Sequence, residues 1–239
     1  MRSESWESAT IAFYSRIAAN YQDRIRSRRE YLDAVEALTR RHLEKYLSEG
    51  HTSKSRLLDV GTGDGTRLAR IVKGLDLSIH CCEPSRMALA IKRKPALANA
   101  KVSNSNFLDF DADRDKFQHI TMLWNVLGHM ESPKHSLQRV HDLLSEGGTF
   151  VFDVNSLRNI SEYGLRALTN YFVADGVARF EAQDSNAGRV PVWLFSRRAL
   201  ENWSRDCGFS SVDFFFLNYH SGKLEHSDRQ GQIVGIFQK

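Results

Sequence analysis

The sequence predicts an α/β fold: a mostly parallel, doubly wound sheet of seven strands, covered by helices and finished by an antiparallel hairpin. Three observations predict it. From Arg56 onward, short apolar runs alternate with amphipathic segments, as they do where parallel strands are wound against helices. A glycine-rich turn, Gly61-Thr62-Gly63-Asp64-Gly65, separates the first run from the first amphipathic segment. The last two apolar runs are joined by a polar loop with no helix between them, and a parallel pair would need a crossover, so they pair antiparallel.

The elements follow in order. Residues 7–21 and 30–47 carry apolar residues at helical spacing (Leu32, Val35, Leu43, Tyr46 and Leu47 in the second) and predict an N-terminal helical cap over residues 1–50. Strand RLLDV, helix TRLARIVKG, strand LSIHCCE and helix SRMALAIKRK come next. A weak strand near KVSNS, strand QHITMLW, helix PKHSLQRVHDLLS and strand GTFVFDV complete the parallel part. Residues 155–195 are poorly periodic, with turn signals at Asp175-Gly176 and Asn186-Ala187-Gly188. Helix SRRALENWSRDCG then leads into strands SSVDFFFLNYH and GQIVGIFQ. Residues 51–239 are expected to form one domain, with 155–195 as its variable region.

The 239 residues, 41% hydrophobic, suit one full α/β domain rather than two separate cores. No run approaches the roughly 18 apolar residues of a membrane helix, and MRSESWESAT has no apolar signal core, so a cytoplasmic location away from membranes is expected. Cys81, Cys82 and Cys207 match no zinc spacing and are expected to be buried free thiols, with no metal site. The net charge of +4 draws on Arg24, Arg26, Arg28, Arg29, Arg40 and Arg41, which read as a solvated helix face. No aromatic residues interleave them as a base-stacking surface requires, which makes a nucleic-acid partner unlikely.

The glycine turn lies at the carboxyl end of the sheet, where such folds bind ligands. Glycines there adopt positive φ and admit a ligand close to the backbone. Glu83 ends the next strand, 24 residues beyond Asp59. A carboxylate in that place accepts hydrogen bonds from both hydroxyls of an adenosine ribose. These two features alone suit a dinucleotide equally. Asp59 in the turn, the terminal hairpin, and Glu83-Pro84-Ser85-Arg86-Met87, which puts a thioether beside an adenine, favour a sulfonium cofactor instead.

With FYSRIAANY (13–21), LLDVGTGDGTRL (57–68), Glu83, residues 106–107, SEGGTFVFDVN (145–155) and the final CGF, the chain resembles the class I S-adenosylmethionine-dependent methyltransferases, whose sheet is Rossmann-like. The resemblance spans nearly the whole chain. It implies that Gly61, Gly63 and Gly65 cradle the methionine portion of S-adenosylmethionine, with Asp59 supporting the loop or the amino group. It further implies that Glu83 holds the ribose, that Pro84 and Met87 pack by the adenine, and that Asn106 and the Phe107 amide meet the ring. Relatives often carry aspartate where this chain has Asn106. The backbone near Trp124 or Asn125 would meet the methionine ammonium group, and the product would be S-adenosylhomocysteine.

Methyl transfer needs an aligned nucleophile, dry surroundings and, for an amine or hydroxyl, a proton acceptor. His129, in WNVLGHM after the fourth strand, is the expected base, because histidine titrates near neutrality; a packing role is the alternative. Similar Gly-His segments occur in small-molecule N-methyltransferases. Tyr14 and Tyr21, seven residues apart in the cap, are expected on one helical face, with Tyr14 at the acceptor and Tyr21 at the cofactor. Asn155, Arg158 and Tyr163 are expected in the acceptor cavity, with Tyr171, Arg179, Trp193 and Tyr219 as weaker candidates. The function expected is methylation of nitrogen or oxygen of a small metabolite, including in secondary metabolism, by a monomer or homodimer. An RNA methyltransferase and a catalytically inactive cofactor-binding module are the alternatives.

Overall fold

Strand β1 (Ser55–Val60) is where the chain reverses the direction in which it adds strands. The computed structural model describes residues 6–49, 55–112, 116–158, 172–184 and 188–239. β1 pairs in parallel with β2 (Leu77–Cys82) on one side, and β2 pairs with β3 (Lys101–Ser103). The chain then crosses back to place β4 (Phe117–Met122) on the other side of β1, followed by β5 (Leu144–Val154). The C-terminal strands β9 (Ser211–Leu217) and β11 (Gln232–Gln238) pair antiparallel, and β11 slots between β9 and β5. The seven expected strands are all present. An eighth, the two-residue β10 (Leu224–Glu225), borders β9 at the edge.

Two apolar layers hold the sheet. One face, with Phe117, Phe150, Phe152 and Phe237, packs under α5 (Pro133–Leu143) and α6 (Arg197–Cys207). The other, with Leu57, Val151 and Val234, packs under α3 (Arg29–Ser48) and α4 (Thr66–Val72). Cys82 belongs to the first layer and Cys81 to the second, as neighbours on one strand must. Both are free thiols, like Cys207.

Local chemistry sets the helix ends. Ser196 caps α6 by accepting from Ala199 N at 3.2 Å, and Gly208 at φ +92° ends it. Arg40, expected on a solvated face, instead donates to the carbonyls of Ile71 and Lys73 at 2.8 and 2.9 Å and closes α4. The segment expected as helix SRMALAIKRK is a 3-10 run, Arg86–Arg93, ending where Pro95 forces Lys94 out of helical geometry.

Residues 155–195, poorly periodic in sequence, contain a second sheet of three antiparallel strands: β6 (Phe172–Ala174), β7 (Val177–Asp184) and β8 (Gly188–Phe195). Asp175 and Gly176, both at positive φ, make the β6–β7 turn. Helix α1 (Trp6–Ile17) packs Phe13 and Ile17 onto Ala178, Phe180, Val190, Val192 and Leu194 of this sheet. The segment 1–50 therefore divides: α3 belongs to the main sheet, whereas α1 and the second sheet form one roof. Among the described residues, no helix is long and apolar enough to cross a membrane, and no group of His, Cys, Asp and Glu could hold a metal.

Candidate active site

A reversal in strand order leaves a crevice where the turns after two neighbouring strands diverge. Here it opens between the turn after β1 and residues 123–130 after β4. A cleft lies in this position, lined from both turns and from the N-terminal helix. Its walls bring together ten of the sequence-derived candidates: Tyr14, Tyr21, Gly61, Gly63, Glu83, Pro84, Met87, Asn106, Phe107 and His129.

The glycines do different work. Gly63, at φ +62°, has only the end of Met87 at 3.8 Å and Tyr21 at 4.0 Å beyond its absent Cβ, so it leaves room in the cleft. A Cβ on Gly61, at φ +66°, would overlap the methyls of Val126. Gly65 does not line the cleft. At φ +78° it starts α4, and a Cβ there would meet Leu97 at 3.0 Å, so its task is close packing.

Glu83 is buried, and its carboxylate is fixed by two backbone donors: Gly63 N to Oε2 at 2.8 Å and Ser85 N to Oε1 at 2.9 Å. Each oxygen keeps lone-pair capacity toward the cleft. The same contact ties the glycine turn to the β2 end. Beside it, Pro84, Met87 and Phe107 form an apolar wall, with Asn106 as its polar neighbour. Cys82 also lines the cleft, but burial pushes its thiol up to about 12, which removes it as a thiolate nucleophile.

Asp59 lies beneath the turn and outside the cleft, fully buried. It accepts from Thr121 Oγ1 at 2.6 Å and faces the buried Arg67 at 3.6 Å. Burial raises its pKa, against the pull of Arg67 and the hydrogen bonds of Thr121 and Thr62. Asn125 also lies outside the cleft, its Oδ1 accepting from Asn155 N at 3.1 Å, and its neighbour Trp124 lines the wall instead. Both residues adopt positive φ, 68° for Trp124 and 60° for Asn125, uncommon for side-chain-bearing residues. The buried carboxylate of Asp153 holds that conformation by accepting from Trp124 N, while Tyr31 Oη donates to it at 2.8 Å.

Tyr14 and Tyr21 do not share one helix. α1 ends at Ile17, a 3-10 turn follows, and Asn20 (φ −123°, ψ 18°) breaks the helix before the short α2 (Tyr21–Arg24). The rings nonetheless meet edge to face at 6.3 Å. Gln22 donates to Asp64 at 3.0 and 3.2 Å, which fastens this segment over the glycine turn.

His129 is clasped from three sides. Its Nδ1 lies 2.9 Å from the Pro191 carbonyl of β8, which can only accept, so Nδ1 carries the proton. Nε2 therefore offers a lone pair, and the Tyr14 hydroxyl donates to it at 2.9 Å. Trp6 Nε1 donates to the His129 carbonyl at 2.9 Å, and Trp193 Nε1 to the Met130 carbonyl at 3.1 Å. Burial lowers the histidine pKa from 6.5 to about 4, partly offset by the Pro191 bond, so the imidazole is neutral at physiological pH. Burial likewise raises the Tyr14 phenol well above its ordinary value.

Tyr14, Tyr21, Trp124 and His129 also line a second chamber on the far side of the cleft. Its remaining walls include Phe13 of α1, Tyr31, Asp153, Val190 and Val192 of β8, and Tyr219. Asn155 and Tyr219 line it. Arg158 does not; it faces Asp228 at 3.6 Å in a separate groove. Arg179 and Trp193 also lie outside it: Arg179 sits 4.4 Å over the Trp6 ring, which stacks on Trp193 at 5.7 Å. Tyr163 and Tyr171 fall outside the described residues. Sequence reasoning missed Tyr31 and Asp153. The usable signal was an acid ending a strand next to the crossover point, the same signal that pointed to Asp59 and Glu83.

A buried, doubly anchored carboxylate, an apolar wall, a tight glycine turn and a tyrosine–histidine pair facing a second chamber meet at one edge of the sheet. Residues 25–213 match the family described as a methyltransferase domain, and the chain belongs to it. It is an S-adenosylmethionine-dependent methyltransferase. No curated protein matches the chain in sequence. Among solved structures it is similar to the CcbJ methyltransferase from Streptomyces caelestis, at 17% identity and TM-score 0.64 over 95% of this chain and 98% of that one. It is also similar to S-adenosylmethionine-bound CalS10, an amino pentose methyltransferase from Micromonospora echinaspora, at 14% identity and TM-score 0.59 over 92% of this chain and 96% of that one. The sugar N-methyltransferase KedS8 from Streptoalloteichus sp. shares 19% identity and a TM-score of 0.58 over 92% of this chain and 93% of that one.

The residues present fit the donor. The space beyond Gly63, the doubly anchored Glu83 carboxylate and the Pro84–Met87–Phe107 wall match, in turn, a chain that must pass close to the backbone, a ribose diol and an adenine.

Proposed function

We propose that this enzyme methylates an amine nitrogen of a small cytoplasmic metabolite, with Tyr14 and His129 receiving the proton that the nitrogen loses. The observation that carries this reading is the Tyr14 Oη–His129 Nε2 hydrogen bond, with the imidazole tautomer fixed by Pro191, at the junction of cleft and chamber. The sugar and amino pentose methyltransferases among its structural neighbours support an amine acceptor.

In this reading Gly61 and Gly63 receive the methionine portion, Glu83 accepts from the ribose hydroxyls, and Pro84, Met87, Asn106 and Phe107 surround the adenine. The Trp124–Asn125 backbone faces the methionine end, with Asp59 and Gly65 supporting the turn from beneath. S-adenosylmethionine supplies a methyl carbon already activated by positive sulfur. The acceptor nitrogen forms the new C–N bond as the C–S bond breaks, and sulfur leaves as a neutral thioether. The nitrogen gains a positive charge and then sheds a proton to the Tyr14 oxygen. The tyrosine's own proton moves along the existing hydrogen bond to His129 Nε2, so the phenol stays neutral throughout. The raised phenol pKa makes tyrosinate costly, which favours passing a proton through the hydroxyl over leaving it deprotonated. The roof of α1 and β8 excludes water during transfer.

The test combines donor calorimetry with mass spectrometry of products from an acceptor library of paired amines and alcohols. Methylated amines, with the matching alcohols inert, are expected. Tight S-adenosylmethionine binding without any methylated product would indicate a binding module, and methylated RNA would transfer the assignment to nucleic acid.

A further inference from the structure

The acceptor chamber carries a charge pattern that proton transfer does not use. Arg24, on α2, and Arg28, just after it, both line the chamber. The Arg28 guanidinium lies 4.7 Å over the Tyr219 ring, and among the described residues it makes neither a hydrogen bond nor an ion pair. A guanidinium braced on one face by an aromatic ring keeps its N–H edge free, and that edge matches the two oxygens of a carboxylate or phosphate. Arg24 is partly oriented, its Nε donating to Asn20 Oδ1 at 3.1 Å.

Among the described residues, the chamber does not neutralise Arg28 from within. Asp153 is its one carboxylate among the described residues, it is buried, and it already accepts from Tyr31 and from Trp124 N. Burial raises its pKa, which weakens it further as a counter-ion. His129 is neutral. The remainder of the lining is apolar, aromatic or amide. The Arg28 charge is also felt at the reacting end, because it pulls the Tyr14 phenol pKa down against the stronger effect of burial.

We infer that Arg28, with Arg24, forms an oxyanion subsite of the acceptor chamber, so that the acceptor carries a carboxylate or phosphate at the end away from the methylated nitrogen. This inference rests on the proposed acceptor role of the chamber. The anion would hold the far end of the acceptor while the nitrogen meets Tyr14, fixing the line of attack.

The test uses the full chain saturated with S-adenosylhomocysteine and follows the arginine Nε–Hε resonances during titration with inorganic phosphate and, separately, acetate. Saturable shifts of Arg28 and Arg24 are expected with at least one anion, and the tighter of the two identifies which oxyanion the subsite prefers. Arg28→Met should weaken that anion about tenfold or more, and Arg28→Lys by less, with S-adenosylhomocysteine affinity unchanged in both. Absence of saturable shifts, or equal anion affinity in Arg28→Met, overturns the inference.

A second measurement separates it from the proposed function. Benzylamine, benzoate and 4-(aminomethyl)benzoate are titrated into the same complex by calorimetry. Tighter binding of 4-(aminomethyl)benzoate than of benzylamine, lost in Arg28→Met, supports the subsite. If benzoate binds as well as 4-(aminomethyl)benzoate, the anion subsite stands and the amine assignment falls. If benzylamine binds as well as 4-(aminomethyl)benzoate, the anion subsite falls and the amine assignment stands.

Discussion

The proposed donor cleft and the proposed acceptor chamber share four side chains but are built on opposite principles. The cleft is made from short stretches at the carboxyl ends of parallel strands, within residues 60–63, 82–87, 106–107 and 123–130, supplemented by the N-terminal segment. The chamber is assembled from α1, α2, α3, the second sheet and the C-terminal Tyr219, segments spread over more than 200 residues of the 239. A site that must hold one fixed molecule can be written into local turns. A site fitted to its own acceptor depends on how distant elements pack, and it diverges as they do.

That contrast predicts which substitutions act on which half. The largest effect is expected at Gly61, where a Cβ would overlap Val126 at a backbone φ of +66°. Gly61→Ala should lower donor affinity by about 100-fold or unfold the turn, a loss of about 3 kcal/mol or more, read by calorimetry beside thermal unfolding. Gly63→Ala, with nothing nearer than 3.8 Å, should lose affinity while melting within a few degrees of the parent. Equal melting losses for both would show that the two glycines serve packing alike.

Next come the pair proposed for proton transfer and the carboxylate proposed for the ribose. His129→Ala and Tyr14→Phe should each lower kcat by about 100-fold or more, within the range for general acid–base groups. The double variant should be little worse than either, because the two act as one relay. The donor KM should move less than about threefold. Glu83→Ala should do the reverse, weakening S-adenosylmethionine by about 30-fold through lost charge-assisted bonds while sparing the chemical step. Additive losses in the double variant would break the relay.

Acidity sharpens the comparison further. With a histidine pKa near 4, kcat/KM for an acceptor of low basicity should stay flat from pH 8 to about 5 instead of falling through 6.5. Stability behaves differently. The folded-state pKa of His129, and that of His42 in the same direction, lies below the ordinary 6.5 because of burial. The contribution of His129 to stability is therefore complete above about 6.5 and is lost as pH falls toward about 4, and that of His42 is lost in the same direction. The urea midpoint should drop between pH 7 and 4.5, and His129→Gln should flatten part of that drop.

The smallest effects are expected in the Trp6–Arg179–Trp193 stack, which touches neither cavity. Arg179→Ala should change kcat and KM less than about twofold and cost about 1 kcal/mol of stability, the scale of a cation–π contact. A tenfold loss of rate would mean that the roof tunes the acceptor chamber directly.

Much of this was legible in the chain itself. Strand–helix alternation marked the elements of the mostly parallel sheet, the direct loop marked its antiparallel end, and the glycine turn with Glu83 pointed to the edge where the cleft lies. The second sheet was missed although β7 alternates: Ala178 and Phe180 are buried, Arg179 and Glu181 exposed. Its neighbour β8 has both faces covered along Val190–Val192, which erased the alternation that marks a half-buried strand. Helix period also failed at Asn20, where one backbone turn moved Tyr21 off the line of α1 but left it beside Tyr14.

The sequence by itself determined the fold class, the donor and the positions of the turns that receive it, because backbone conformation and strand ends are set by residues near one another in the chain. Only the tertiary structure decided that Asp59, Gly65 and Asn125 lie outside the cleft, that His129 is neutral with its proton on Nδ1, and that Arg28 faces the chamber without a hydrogen bond or ion pair among the described residues. Burial, tautomer and charge balance depend on groups brought in from elsewhere: Pro191 and Tyr14 lie 62 and 115 residues from the histidine they control.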